Sequence, residues 1–258
     1  MLLSDRVAII TGGARGIGRG IAIKFAEEGS SIAIADVLAE EAAKTVKEVS
    51  ERGREVIFIH CDVSNNFQVR TMVEQVIRKF GKIDILVNNA GIGPAPRSIT
   101  KVSEEEWERV LAVNLKGAFL CCKAVVPYMK EKHYGRIINI SSIAAISPPA
   151  PDIHYSCAKA GMLGLTLDLA LELAPFNICV NVILPAGIRT EMLDQLVPPH
   201  ADKEEFYREL GKAIQPMERM GTPEDTAGVA LFLASSLSGY VTGDRIIVGG
   251  GYPLKRMA

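Results

Sequence analysis

From residue 6 onward, short apolar runs rich in β-branched residues alternate with longer segments whose apolar positions recur at helical spacing. That alternation calls for a crossover after each strand, which sets the strands parallel in one sheet covered by helices on both faces. Candidate strands are 6–11, 31–36, 55–62, 83–88, 136–141, 178–184 and 245–248. Most are apolar throughout, as strands buried on both faces should be. Segments 17–28, 38–52 and 66–80 carry charges opposite an apolar stripe and are expected as crossover helices. Longer helices are expected over 103–132 and 155–174, the first opened by Ser103 and Glu106 at capping-box spacing. The rhythm breaks at 186–223, where paired prolines, Gly211 and scattered Met, Phe and Tyr point to a binding loop or lid.

A chain of 258 residues with 48% hydrophobic and 23% charged residues can bury one sizeable core, so a single domain over 1–258 is expected. With 29 Lys+Arg against 30 Asp+Glu there is no basic excess to attract nucleic acid or anionic lipid, and small-molecule partners are favoured. Cys61, Cys121, Cys122, Cys157 and Cys179 form no CxxC pair, which suits reduced thiols. The run 7–11 is too short for a signal core, no apolar segment reads as long enough to cross a bilayer, and Lys255-Arg256-Met257-Ala258 is no targeting tail. A cytoplasmic protein is expected.

After the first strand, Thr11-Gly12-Gly13-Ala14-Arg15-Gly16-Ile17-Gly18 opens the first helix. Glycines there let backbone approach a pyrophosphate, whose charge the free amides of a helix N-terminus favour. Gly12, Gly16 and Gly18 are the expected contacts. The spacing departs from G-x-G-x-x-G, and tight turns need glycine in any case, so the position after a strand carries the reading. Asp36 closes the second strand, where a carboxylate accepts hydrogen bonds from an adenosine ribose and repels a 2′-phosphate. NAD is therefore preferred to NADP over the plainer reading of a helix cap, while Arg15 in the glycine loop argues for NADP.

Tyr155 and Lys159 stand four apart and share one helix face. Oxidising an alcohol requires a base for the hydroxyl proton; a free phenol has a pKa of about 10, and a nearby ammonium favours the phenolate. Ser142 follows a buried strand and can hold a substrate oxygen, although a turn hydroxyl would be the ordinary reading of it alone. No metal-ligand set is seen. His60, His133, His154 and His200 form no cluster; His154 reads as a surface residue beside Tyr155, Cys157 as a small buried residue, and Cys121-Cys122 as packing.

Thr11-Gly-x-x-x-Gly-x-Gly18, Asn88-Asn89-Ala90-Gly91, Asn114, Ser142 and Tyr155-x-x-x-Lys159 together resemble the short-chain dehydrogenase/reductase family, over nearly the whole chain. The resemblance implies a single-domain Rossmann fold, a doubly wound seven-stranded parallel sheet. It also implies a catalytic group of Asn114, Ser142, Tyr155 and Lys159. In that group Tyr155 is the general acid/base and Ser142 holds the reacting oxygen. Lys159 binds nicotinamide ribose while lowering the Tyr155 pKa, and Asn114 places a water in the proton relay. Asp62 and Val63 are implied at the adenine, Asn89, Ala90 and Gly91 along the cofactor, and Pro185, Gly187, Ile188 and Thr190 near the nicotinamide, with Arg15 and Ile17 in the phosphate loop. A homotetramer is implied as well.

Two positions depart from the family pattern: Pro-Gly after the sixth strand is Pro185-Ala186, and the terminal Val-Asp-Gly-Gly is Val248-Gly249-Gly250-Gly251. A methyl at Ala186 is expected to narrow the nicotinamide wall or to forbid a positive φ there, with Gly187 able to relieve it. Substrate choice is assigned to 143–154 and 186–223, whose rim holds Pro148, Pro149, Pro151 and Pro185 and whose apolar contacts include Met192, Leu193, Leu196 and Phe206. The leading expectation is an NAD(H)-dependent secondary-alcohol dehydrogenase. The alternatives are an NADPH-dependent 3-oxoacyl-[acyl-carrier-protein] reductase and a non-catalytic nucleotide-sensing protein.

Overall fold

The computed structural model describes residues 1–93, 97–148 and 151–254, so Pro149 and the 255–258 tail lie outside the described residues. Its strands and helices, in chain order, are β1 (Val7–Thr11), α1 (Gly16–Glu27), β2 (Ser31–Asp36), α2 (Ala39–Glu51), β3 (Val56–His60), α3 (Asn66–Phe80) and β4 (Ile85–Asn88). Then come α4 (Glu104–Leu111), α5 (Gly117–Lys132), β5 (Gly135–Ile140), α6 (Ile153–Leu173), β6 (Ile178–Pro185), α7 (Glu191–Asp194), α8 (Lys203–Ile214), α9 (Pro223–Ala234) and β7 (Arg245–Val248). Seven parallel strands make one sheet in the order β3-β2-β1-β4-β5-β6-β7.

Alternation along β1 shows why helices cover both faces. Val7 and Ile9 join a core with Val69, Met72, Val73 and Val76 of α3 and Leu120, Val125 and Met129 of α5. Ala8 and Ile10 point the other way, into a core with Ile21 and Phe25 of α1, Val49 of α2 and Leu231 of α9. Each fully buried aliphatic or aromatic side chain contributes about 1.5–3 kcal/mol relative to exposure. The chain leaves β1 for β2 on one side and returns to β4 on the other, and that reversal opens a crevice at the strands' C-terminal ends.

Expected strands 55–62 and 83–88 are shorter than their apolar runs. The ladder with β2 ends at His60, and Asp84 instead turns its carboxylate onto the Val7 amide, 2.9 Å away. Helix 103–132 is continuous but changes pitch through one π turn, Ala112–Lys116, that carries Asn114. By length and composition Glu104–Lys132 is apolar enough to cross a membrane, which corrects the expectation that no segment is; here Leu120, Cys121, Cys122 and Val125 pack on the sheet. Ser103 caps it by accepting from the Glu106 amide at 3.2 Å, while the Glu106 carboxylate faces Arg97 and His154.

The 186–223 segment is more regular than expected. It contains α7 and α8, and its two ends pair through Ile188 and Gly221. Asp202 caps α8, and Tyr207 is buried beneath it with its hydroxyl donating to Asp194 Oδ1 at 2.5 Å. Helix α9, which follows, was not expected: Thr222 and Asp225 cap it reciprocally.

Candidate active site

The glycine loop crosses over β1 so closely that side chains are excluded. A Cβ at Gly18 would stand 2.1 Å from the Gly12 carbonyl oxygen, and Gly12 itself has φ +64° with Ala90 Cα 2.8 Å from its Cβ position. Asn89 fixes the crossing: its Nδ2 donates to the Thr11 and Gly12 carbonyls at 3.0 and 2.9 Å. Thr11 Oγ1 accepts from the Asn89 and Ala90 amides at 3.0 and 3.1 Å. Thr11 is thus a positioning residue that the sequence reading quoted without giving it a role; its place at the start of the glycine motif was the available signal. No side chain caps α1, whose N-cap Arg15 is exposed, so the first-turn amides from Gly16, Ile17 and Gly18 face the crevice without a side-chain partner. A dinucleotide phosphate fits this cradle, because the glycines leave room for it and the uncapped amides supply donors.

Asp36 ends β2 beside the loop and is 8% exposed. Its Oδ2 accepts from the Ala14 amide at 3.0 Å, and its Oδ1 accepts from the Val37 and Leu38 amides at 2.8 and 3.1 Å. The capping reading is thus observed, the carboxylate tying the glycine loop to the start of α2, and Oδ2 keeps acceptor capacity for a further donor. Beyond β3, Asp62 accepts from the Ser64 amide and hydroxyl at 2.9 and 2.7 Å, while buried Val63 packs on Gly117.

Two further strand ends and helix α6 bring in the candidate chemical group. Beyond β4, Gly91 lies where a Cβ would stand 3.0 Å from Asn114 Oδ1 and 3.5 Å from Lys159 Nζ. Asn114 clamps the neighbouring Ile92 peptide, accepting from its amide at 2.8 Å and donating to its carbonyl at 2.9 Å. The π turn lets this buried side chain leave the helix ladder towards the crevice. Past β5, Ser142 Oγ accepts from the Ala144 amide at 3.1 Å and is hydrogen-bonded to Tyr155. Helix α6 carries Tyr155 and Lys159; Lys159 Nζ donates to the Ile140 carbonyl at 2.9 Å and stands 5.6 Å from the Tyr155 ring centre. Ser141 Oγ donates to the Lys159 carbonyl at 2.7 Å and pins that turn to β5.

Burial dominates the charges here. It pushes Tyr155 up to about 12, with the Ser142 hydrogen bond opposing and Asp152 adding to the rise. It pulls Lys159 down to about 8. Lys159, implied by the resemblance to lower the Tyr155 pKa, is not among the groups that move it; removal of the phenolate from water sets the direction.

At the end of β6, Pro185 precedes Ala186, whose amide donates to the Val248 carbonyl at 2.9 Å. Neither Ala186 nor Gly187 adopts a positive φ, so the methyl at 186 meets no backbone conflict. Gly187 and buried Ile188 pair with Gly221, and Thr190 Cγ2 lies 3.3 Å from the Cβ position of Gly16, closing the crevice opposite the glycine loop. Met192 of α7 reaches across to Gly93, within 3.1 Å of its Cβ position.

Two side chains next to Tyr155 differ from expectation. His154 is fully buried against α4 rather than on the surface, and Cys157 is exposed rather than buried, because the α6 face carrying it is uncovered. Cys121 and Cys122 are buried with thiols raised by desolvation, Cys122 to about 12, in keeping with packing.

A family model described as Enoyl-(Acyl carrier protein) reductase matches residues 12–253. The (2S)-[(R)-hydroxy(phenyl)methyl]succinyl-CoA dehydrogenase subunit BbsD of Thauera aromatica is 44% identical over 98% of this chain and 99% of its own. The 3-oxoacyl-[acyl-carrier-protein] reductase FabG of Thermotoga maritima is 39% identical over 97% and 99%. A crystal structure of a short-chain type dehydrogenase/reductase from Mycobacterium marinum superposes with a TM-score of 0.90 at 35% identity, covering 98% of this chain and 97% of that one. With that fold and these relatives, the chain belongs to the short-chain dehydrogenase/reductase family of NAD(P)(H)-linked oxidoreductases.

Proposed function

We propose that the protein is an NAD(H)-dependent dehydrogenase interconverting a secondary alcohol and a ketone, with Tyr155 as general acid/base. The observation that carries this reading is the convergence of Ser142, Tyr155, Lys159 and Asn114 on one crevice whose far end is bounded by the Asp36 carboxylate. The nicotinamide supplies the site for hydride transfer. Tyr155 takes the hydroxyl proton in oxidation and returns it in reduction, while Ser142 holds the reacting oxygen beside it. Lys159 stands within reach of a ribose hydroxyl near Gly91, and Asn114, with its side chain spent on Ile92, holds the wall against which a relay water sits. Asp62, Val63, Asn89, Ala90, Pro185, Gly187, Ile188 and Thr190 complete the cofactor's walls.

The 186–223 segment is assigned as the substrate lid, and its Met192 supplies an apolar roof. Both relatives are named for acyl thioesters, so hydroxyacyl thioesters belong in the substrate panel beside simple alcohols. A homotetramer is part of the proposal: α5 and α6 expose Phe119, Leu167 and Leu171, the last 80% exposed, an apolar face that a second copy would cover.

The test is a titration with NADH and with NADPH, followed by nicotinamide fluorescence, in the wild type and in Asp36→Ala. Tighter NADH binding that the mutant loses supports the reading. Tighter NADPH binding would make Arg15, exposed in the loop, the selector and favour the second reading, an NADPH-dependent 3-oxoacyl thioester reductase.

A further inference from the structure

Among the described residues, eight buried side-chain polar atoms lack a hydrogen-bond partner, and three of them lie together: both ring nitrogens of His154 and Oδ1 of Asp152. His154 is wholly buried in the first turn of α6, immediately before Tyr155. Its Nε2 faces Glu106 Oε1 of α4 at 3.4 Å, and its Nδ1 faces Asp152 Oδ1 at 3.7 Å. Among the described residues, Arg97 also stands at this spot, its Nε 3.3 Å from Glu106 Oε1 and its backbone pairing with that of Asp152 and Pro151.

A neutral imidazole donates from one nitrogen only and would aim the lone pair of the other at a carboxylate oxygen, and His154 itself is buried, where such repulsion is costly. An imidazolium donates from both. It also balances the charge, since two carboxylates and one guanidinium leave a net −1 that one further cation cancels.

Asp152 is the N-cap of α6, yet its side chain makes no capping hydrogen bond. The entrance of α6 is held by the backbone pairing with Arg97 and by the contact of His154 with α4. The same carboxylate acts on Tyr155, adding to its raised pKa, so whatever offsets the Asp152 charge eases ionisation of the phenol.

We propose that His154 is a positioning residue: a buried imidazolium clamped between Glu106 and Asp152 that anchors the first turn of α6 and screens Tyr155 from the Asp152 charge. The proposal rests on the reading of Tyr155 as the acid/base. It places control of the reaction's pH dependence in His154, Asp152 and Glu106.

The first measurement is imidazole 15N NMR on the intact protein at pH 7. Both His154 nitrogens carrying protons is the expected pattern, and one bare nitrogen overturns the clamp; neither outcome depends on turnover or on a variant folding. The second is the pH dependence of kcat/KM for alcohol oxidation in the wild type, His154→Gln, and the double variant with Asp152→Asn. His154→Gln is expected to move the activity rise to higher pH by about one unit, roughly tenfold less activity on the rising limb. NADH affinity should stay the same, and the double variant should return the limb towards the wild type. An unmoved limb, or a shift that Asp152→Asn does not reverse, rejects the screening role and leaves a packing histidine. Turnover that survives Tyr155→Phe would sink the reading of Tyr155 while leaving the NMR result standing, so the two failures are distinguishable.

Discussion

Ala186 and Gly249, the two positions at which this chain departs from the family pattern, stand against each other: a Cβ at 249 would lie 3.0 Å from the Ala186 methyl. The two departures therefore meet at one junction, between the end of β6 and the chain just beyond β7. Restoring the pattern at 249 alone should overpack the junction. Gly249→Asp is expected to cost about 1–3 kcal/mol in urea unfolding. Gly249→Asp with Ala186→Gly should recover part of it, because the Tyr252 carbonyl, also 3.0 Å away, still crowds the new side chain. A coupling energy indistinguishable from zero in this double-mutant cycle would show the two departures to be independent.

Much of this was legible in the sequence, and for identifiable reasons. Glycine loop, Asn89, Ser142 and the Tyr155/Lys159 pair are local patterns at strand ends, and parallel strands announce themselves as continuous apolar runs such as 7–11 and 178–185. What escaped depends on contacts distant in sequence. The burial of His154 is decided by α4, some fifty residues earlier, and the exposure of Cys157 by which face of α6 finds no neighbour. Helix α9 was missed because Thr226, Ala227, Ala230, Leu231, Leu233 and Ala234 are all buried, which removes the polar stripe that marks a surface helix.

Loss of Asp36 is expected to carry a structural cost separable from the role in cofactor choice proposed for it. Three backbone amides donate to its carboxylate, and Asp36→Ala leaves them without that acceptor. Loss of about 1–3 kcal/mol is expected in the cofactor-free protein, measured by chemical denaturation. A variant as stable as the wild type would show that the amides find water, and that the carboxylate serves the cofactor alone.

Lys159 makes stability depend on pH in a defined direction. Burial lowers it from 10.5 to about 8, so between those values the unfolded chain holds a proton that the folded protein has released. Stability attributable to this group therefore rises with pH across that window, by about 2 kcal/mol between pH 7 and pH 10, and is lowest below pH 8, where the buried ammonium must persist. Tyr155 acts oppositely and later: raised to about 12, it withdraws stability only above pH 10, where the unfolded phenol ionises first. Lys159→Met should abolish the rise between pH 8 and 10 while abolishing turnover. Parallel stability curves for the two proteins would contradict the buried-ammonium account.

Met192 offers the most direct test of the lid. It reaches Gly93 across the crevice, and with three rotatable bonds it gives way more easily than a branched side chain would. If that contact roofs the bound substrate, Met192→Ala removes apolar contact with about 1–3 kcal/mol of discrimination. The expected outcome is then a roughly tenfold higher KM for an apolar alcohol, with NADH affinity unchanged. Gly93→Ala approaches the same contact from the other wall: its new methyl, 3.1 Å from Met192 Cγ and Sδ, pushes the side chain aside and should raise KM in the same sense. Both KM values should move less for a small polar alcohol, which fills less of the space under the roof. A uniform change across substrates, or a change in NADH affinity alone, would place Met192 over the cofactor instead and move substrate selection to 143–154.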